Sequence, residues 1–488
     1  MRSHNWPSAS ALALALATAR VATAQNVTTI NPSSTYGTWE GWGTSLAWWA
    51  KAFGNQAALA DIFFTLDTTT YNGYTLPGLG LNVVRYNAGA SSKNADPDGD
   101  VMVVSPDITA SRQMDLFWLD WTSSAANSSS WSWTVDANQR NMLALGLDRG
   151  VTVVEMFSNS PPWWMTYNLN PSGSTDGSSD NLESWNYDQH AIYLATIAAY
   201  AKENWGVTFA SVEAFNEPSA DYWVGPTGTQ EGCHFDVSTM SSVIPYLRSE
   251  LNSRGLTGTI ISASDEETYD IAITTFGEYT SAALADIGRI NVHGYEYGGG
   301  RRDILYADVH AAGKALWNSE YGEGDATGAE LASNLILDFV WLHPTAWVYW
   351  QVLDVTGWGL IEADNNALTT GAPSQKYFVL AQFTRHIRPG MTILDGGSGW
   401  TVAAYDASTE TLVIVAVNTG AAQYLNFDLS SFAKAGVNGA LVPRWATQIG
   451  SSGDQYVSFS DTFINGTQFW SYFDENVIMS FEVSNVVL

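Results

Sequence analysis

The chain has 488 residues but a single cysteine, Cys233, so no intramolecular disulfide can staple it. At this length it needs none, because a large apolar core can be buried instead. With no evident His and Asn partners, Cys233 reads as a quiet buried thiol. Positive charge is also scarce: 20 Lys and Arg stand against 49 Asp and Glu, a net charge of −29. That balance excludes phosphate-driven binding to nucleic acid or to an anionic membrane surface, and it suits a neutral or weakly charged ligand. Beyond the first 24 residues there is no uncharged apolar run of about 18 residues, the length a membrane-spanning helix needs. Metal and phosphate motifs are missing as well. There is no HExxH, no His/Cys cluster at metal spacing and no G-x-S-x-G elbow. "DPDGD" (96–100) begins like a calcium loop, but Val101 stands where that loop requires glycine. "GGGRRD" (298–303) is better read as a cleft-lining loop than as a phosphate cradle, and "GEGDATG" (322–328) misses dinucleotide spacing. No cofactor and no metal are expected.

What is present begins with a leader. Arg2, the apolar "ALALALATA" (11–19) and Ala22-Thr23-Ala24 have the form of a secretory signal over residues 1–24, predicting a secreted, extracellular protein that starts at Gln25. Loss of Arg2 and Arg20 would take the net charge from −29 to −31. Asn26, Asn127 and Asn465 head glycosylation acceptor triplets. The 22 Trp and 22 Tyr are unusual. Sugar rings present apolar C–H faces that aromatic rings cover well, so this richness points toward a carbohydrate ligand, core packing being the plainer use.

Eight short β-rich runs recur: 39–45, 81–87, 151–158, 211–216, 259–264, 289–295, 315–321 and 346–351. Several are apolar almost throughout, as strands covered on both faces should be. Helix-period segments lie between them, the clearest at 188–206, stopped by Gly206; another at 236–255 should kink at Pro245. The alternation predicts an α/β fold, a (β/α)8 TIM barrel over 38–389. An open doubly wound sheet is the runner-up, but it lacks the Gly-rich loop after its first strand. From about 390 to 488 the pattern becomes short alternating strands without helical period, a β-sandwich. Residues 25–37 supply an N-terminal strand expected to join it. The polar loop 171–181 is expected to line one side of the cleft.

Polar residues cluster where the barrel strands end, the active-site face of such barrels. "SVEAFNEP" turns from apolar residues to Asn216 and Glu217 and is halted by Pro218; "ALWNSEYG" does the same at Glu320. An ionisable group at the end of a buried strand is costly without a task or a partner. Strands four and seven face each other across the barrel, so both carboxyls should meet at one mouth. A protonated and an ionised carboxyl across a cleft are what glycoside hydrolysis requires.

The ordered set "WEGWGTSLAWWAKAFG", "SNSPPWWM", "FNEP", "GPTGTQEGCHF", "NSEYG", "HPTAWVYWQ" and "YFVLAQFTRHIRPG" resembles glycoside hydrolase family 30 from about Thr38 to the C-terminus. Within the family it looks most like fungal endo-β-1,6-galactanases. The resemblance implies a retaining endo-hydrolase of β-1,6-galactan, such as the side chains of arabinogalactan-proteins. Glu217 would be the acid/base and Glu320 the nucleophile. It further implies that Asn216 binds the sugar 2-hydroxyl, that Tyr295 hydrogen-bonds the nucleophile and that Trp350 is the platform beneath the reacting sugar. Arg85 would hold Glu320 ionised, since a nearby cation lowers a carboxyl pKa. Asn159 and His293 join the candidate substrate-binding residues. A β-1,6-glucanase or xylanase of the same family, or a non-catalytic sugar-binding barrel, are the alternatives. The partner expected is a polysaccharide, met by a monomer.

Overall fold

The structure is a computed structural model describing residues 26–355 and 357–488. Residues 1–24, read above as a leader, lie outside the described residues. Eight parallel strands close into a barrel: β1 (Gly41–Ser45), β2 (Val83–Asn87), β3 (Val153–Phe157), β4 (Ser211–Glu213), β5 (Ile260–Glu266), β6 (Ile287–His293), β7 (Ala315–Tyr321) and β8 (Ala346–Tyr349). Each falls within or across one of the eight runs read from the sequence. Val, Ile, Ala and Trp dominate these strands because helices cover them outside and layered side chains fill the barrel inside. Gly43 permits the approach of β1 to β2: a Cβ there would lie 2.6 Å from the Val83 carbonyl oxygen.

The ladder between β6 and β7 shifts after Val292, which pairs with Asn318, so that His293 comes opposite Glu320. The extra residue at the rim re-aims the end of β7, as bulges do. Helix Tyr187–Tyr200 widens into a turn through Trp205 and stops at Gly206, whose φ of 68° suits glycine. Helix Val237–Ser253 runs as one element through Pro245.

The C-terminal sandwich has a seven-stranded sheet facing a three-stranded one. Both take strands from before the barrel. Asn26–Thr29 lies parallel to Gln423–Asp428, and Asn31–Thr38 lies antiparallel to Thr392–Asp395. Along Thr411–Asn418, Leu412, Ile414 and Ala416 point into the sandwich, while Val413, Val415 and Val417 join the barrel's core. This strand reads as a continuous apolar run because both of its faces are covered. Much of the cover on the barrel side is helix Gln375–Thr384, buried at all ten positions. Gln382 Nε2 donates to Thr447 Oγ1 (2.8 Å) and accepts at Oε1 from Ser480 Oγ (2.6 Å), joining helix and sheet.

Candidate active site

The carboxyl ends of the barrel strands open into a cleft of about 660 Å³ lined by Asn159, Asn216, Glu217, Tyr295, Glu320 and Trp350, among others. Six of the eight candidate site residues thus face it directly. The other two, Arg85 and His293, are wholly buried behind the carboxylates, so their reach is to Glu217 and Glu320 rather than to the cleft.

Glu320 is the next-to-last residue of β7 and is 4 % exposed. Tyr295 donates its hydroxyl to Glu320 Oε1 (2.8 Å), and Arg85 Nη1 donates to Oε2 (3.3 Å). Arg85 also donates from Nε to Glu155 Oε1 (2.9 Å) and from Nη2 to Asp265, and its guanidinium lies 4.2 Å over the Phe157 ring. One cation therefore serves three carboxylates. Arg85 does act to lower Glu320, as expected, but burial is the larger effect and the net shift is upward. Burial pushes the Glu320 carboxyl up; the neighbouring His293 and Arg85 oppose this, and Glu217 reinforces it.

Glu217 follows β4 and adopts φ 47°, a left-handed conformation that is costly for a residue carrying a Cβ. Its backbone is held by its own N–H donating to the Asp265 carbonyl (2.8 Å) and by Trp223 Nε1 donating to its carbonyl (2.9 Å). Its carboxyl meets His293 Nδ1 at Oε1 (3.0 Å) and accepts the Tyr222 hydroxyl at Oε2 (2.5 Å). His293 Nδ1 is 3.7 Å from Glu320 Oε1, and one oxygen of each carboxyl and this nitrogen all lie within 4.8 Å of one another. Two carboxyls at that spacing can share one reacting carbon between them.

The amide atoms of Asn159 and the Asn216 Oδ1 are buried without a partner among the described residues. Polar groups left in that state are rare and costly, and both face the cleft, where hydroxyl groups of a ligand would satisfy them. Trp350 lies edge-on to Trp48 (5.1 Å, 87°), and Arg112 stacks on Trp48 at 4.3 Å. This gives the cleft an aromatic wall.

Sequence reasoning missed Trp48, Arg112, Tyr222, Trp223, Glu267, Tyr297 and Trp358, all of which line the cleft. Tyr222 and Trp223 were within reach, since they follow "NEP" by only a few residues. Trp358 sits in a loop after β8 with no periodic signal. Two loops expected to line the cleft do not. No residue of 171–181 lines the cleft, and Gly173 packs against the Trp223 backbone, where a Cβ would be 1.9 Å from the carbonyl oxygen. In 298–303, Arg302 is buried against Asp338 (2.7 Å). Trp49, Trp163 and Trp164 are buried core residues. Cys233 is buried too, and burial raises its thiol pKa, which keeps it protonated and unreactive.

Residues 25–277 match the family described as O-Glycosyl hydrolase family 30. Over the full length of both chains, the protein is 59 % identical to one from Hypocrea rufa named endo-beta-1,6-galactanase. It is 23 % identical over 479 residues to an exo-beta-1,6-galactobiohydrolase of Bifidobacterium longum, a match covering 75 % of this chain and 31 % of that one. Among solved structures, the catalytic domain of GH30 xylanase C from Talaromyces cellulolyticus aligns with a TM-score of 0.67 at 21 % identity, over 94 % of this chain and 100 % of that one. At such identity the likeness bears on the fold alone.

Proposed function

The chain belongs to glycoside hydrolase family 30; we propose that it hydrolyses β-1,6-galactan by double displacement, with Glu320 as nucleophile and Glu217 as acid/base. The observation that carries this reading is the pair of buried carboxyls whose oxygens approach within 4.8 Å across the barrel mouth. Retaining enzymes hold their carboxyls about 5 Å apart, whereas inverting ones leave room for a water and stand roughly 6.5–9.5 Å apart.

In the first step Glu320 attacks the anomeric carbon while Glu217 gives its proton to the departing glycosidic oxygen. In the second step Glu217, now ionised, takes a proton from water as the water displaces Glu320. Tyr295 and Arg85 stabilise the charge on Glu320 before attack and after release. Asn216 lies beside Glu217 with a free acceptor, suited to a sugar hydroxyl; Asn159 offers both a donor and an acceptor. Trp350 supplies a ring face for the sugar.

The 59 % relative is named an endo-acting enzyme, and a cleft open at the surface suits internal cleavage of a chain. Side chains of arabinogalactan-proteins are the natural source of such a polymer. We also read residues 1–24 as a leader for secretion; the described acceptor residues Asn26, Asn127 and Asn465 are all exposed, as extracellular glycosylation would need.

The test is to follow the anomeric configuration of the first product by NMR on β-1,6-galactooligosaccharide. The β-anomer is expected at once, mutarotating later. The α-anomer as first product would overturn double displacement. A reducing-sugar panel on galactan, β-1,6-glucan and xylan checks the substrate.

A further inference from the structure

We propose that Tyr222 is a positioning residue for Glu217, fixing its carboxyl and favouring its ionised form through the hydroxyl donated to Oε2. This rests on the reading of Glu217 as acid/base.

The segment that carries Tyr222 is clamped at several points. The Ala220 N–H donates to the Glu217 carbonyl (3.1 Å), and His234 Nδ1 meets the Ala220 carbonyl (2.9 Å). Trp223 is packed so tightly against Gly232 that a Cβ there would lie 2.0 Å from its ring. The loop that leaves β4 therefore turns back over Glu217 and has little freedom to place Tyr222 elsewhere. Its ring lies against Trp223 (4.8 Å, 63°) while 43 % of the residue remains exposed in the cleft. The hydroxyl is thus both anchored to Glu217 and open to the side from which a polymer enters.

Glu217 has two oxygens and two partners on different elements, His293 at Oε1 and Tyr222 at Oε2. Together they fix the plane of the carboxyl. The partners differ in kind. His293 sits between both carboxyls and is buried, whereas the Tyr222 hydroxyl bonds Glu217 and not Glu320. Burial and the negative Glu217 beside it raise the Tyr222 phenol pKa, so the phenol keeps its proton throughout the working range and can only donate. A donor to a carboxylate favours the charged form. Other titratable groups face this pair from neighbouring elements: Glu267 after β5, His293 at the end of β6, Tyr295 and Tyr297 just beyond it, and Glu320 on β7. Asp221 lies on the same loop. Each of these remains in place when the Tyr222 hydroxyl alone is removed, so Tyr222→Phe isolates its contribution.

The kcat/KM profile on a β-1,6-galactooligosaccharide is the readout, since the free enzyme must hold a proton on its acid. Tyr222→Phe is expected to move the alkaline limb up by about 0.5–1 pH unit, because protonation is no longer opposed by the donor. A loss of rate at every pH with the limb unmoved would overturn the proposal and leave Tyr222 a packing residue. Tyr222→Ala should show the same limb shift with an added rise in KM from the lost ring. If the Phe variant proves poorly folded by circular dichroism, the Ala variant decides by the same limb. Glu217→Ala, assayed with azide on an aryl galactooligosaccharide, separates the two readings. Azide rescue with an unmoved Tyr222→Phe limb sinks only the Tyr222 proposal; full activity of Glu217→Ala without azide sinks the acid/base assignment itself.

Discussion

The barrel and the sandwich are equally well buried and filled with opposite chemistry. Inside the sandwich, Leu412, Ile414, Phe427, Phe469 and Phe481 meet from two sheets with no exposed surface. Inside the barrel, at comparable burial, sit Arg85, Glu155, Arg289, Asp265 and Glu213. Glu155 alone receives Arg85, Arg289, Asn291, Ser211 and Ser262, and although burial pushes its carboxyl up, Arg289 and Arg85 bring it below its ordinary value. Apolar filling is the cheaper way to stabilise a core, and buried ion networks are seldom more stable than well-packed hydrocarbon. The sandwich contributes stability. The barrel spends some of that stability to hold the groups beneath Glu217 and Glu320 in one arrangement.

The comparison breaks if the two regions are independent. Truncation after Pro389 strips the cover from helix Gln375–Thr384 and removes the Val413, Val415 and Ile478 side chains from the barrel's core. It should leave no soluble enzyme, as judged by the yield of monodisperse protein. A soluble and active 1–389 chain would show that the barrel stands alone.

Next in size is the loss of the nucleophile. Glu320→Gln should lower kcat by about 10⁴- to 10⁶-fold while leaving the melting temperature almost unchanged. Arg85→Met should hurt both activity and stability. It strands Glu155, Asp265 and Glu320 without their shared cation, at a cost of about 3–5 kcal/mol by denaturant titration, together with a large fall in kcat. Phe481→Ala, in the sandwich, should cost about 3–5 kcal/mol as well, yet kcat of the folded fraction should be intact. If Phe481→Ala lowered kcat as Arg85→Met does, the division of labour between the regions would be wrong.

The smallest expected effect concerns pH. Burial raises Glu231 to about 8 and Asp136 to about 7. A carboxyl whose folded pKa lies above its unfolded value supports the fold fully below the unfolded value, near 4, and loses that contribution as pH rises through the folded one. Melting temperature should therefore decline between pH 4 and 8. Glu231 accepts at Oε1 from Ser91 Oγ (2.6 Å) and from the Met114 N–H (2.9 Å), contacts that Gln can keep. Glu231→Gln should flatten the decline, read as melting temperature across that range; an unchanged slope would remove Glu231 as a cause.

The eight barrel strands and the two catalytic-type carboxyls were legible in the amino-acid order because each rests on local chemistry. Apolar runs of strand length ending in Asn-Glu-Pro or Ser-Glu-Tyr declare a buried strand and a costly charge at its end, wherever the chain goes next. Arg85 lowers Glu320 as expected, yet burial outweighs it, and Arg85 is shared with Glu155 and Asp265, so that one cation meets carboxylates on β3, β5 and β7. No spacing along the chain encodes that sharing. The expectation for the loop at 171–181 failed: its composition announced a surface turn, but only packing against the Trp223 backbone decided that it does not line the cleft. Tyr222 and Trp358 became cleft residues through loop geometry, and loops carry no periodicity to read; Trp48 lies on the short helix Ala47–Phe53 that follows β1. What the sequence determined by itself was the set of elements and where their charges end. Tertiary structure decided which of those charges meet, because closure of the barrel sets distances between residues that the chain separates by a hundred positions or more, and electrostatics depends on those distances.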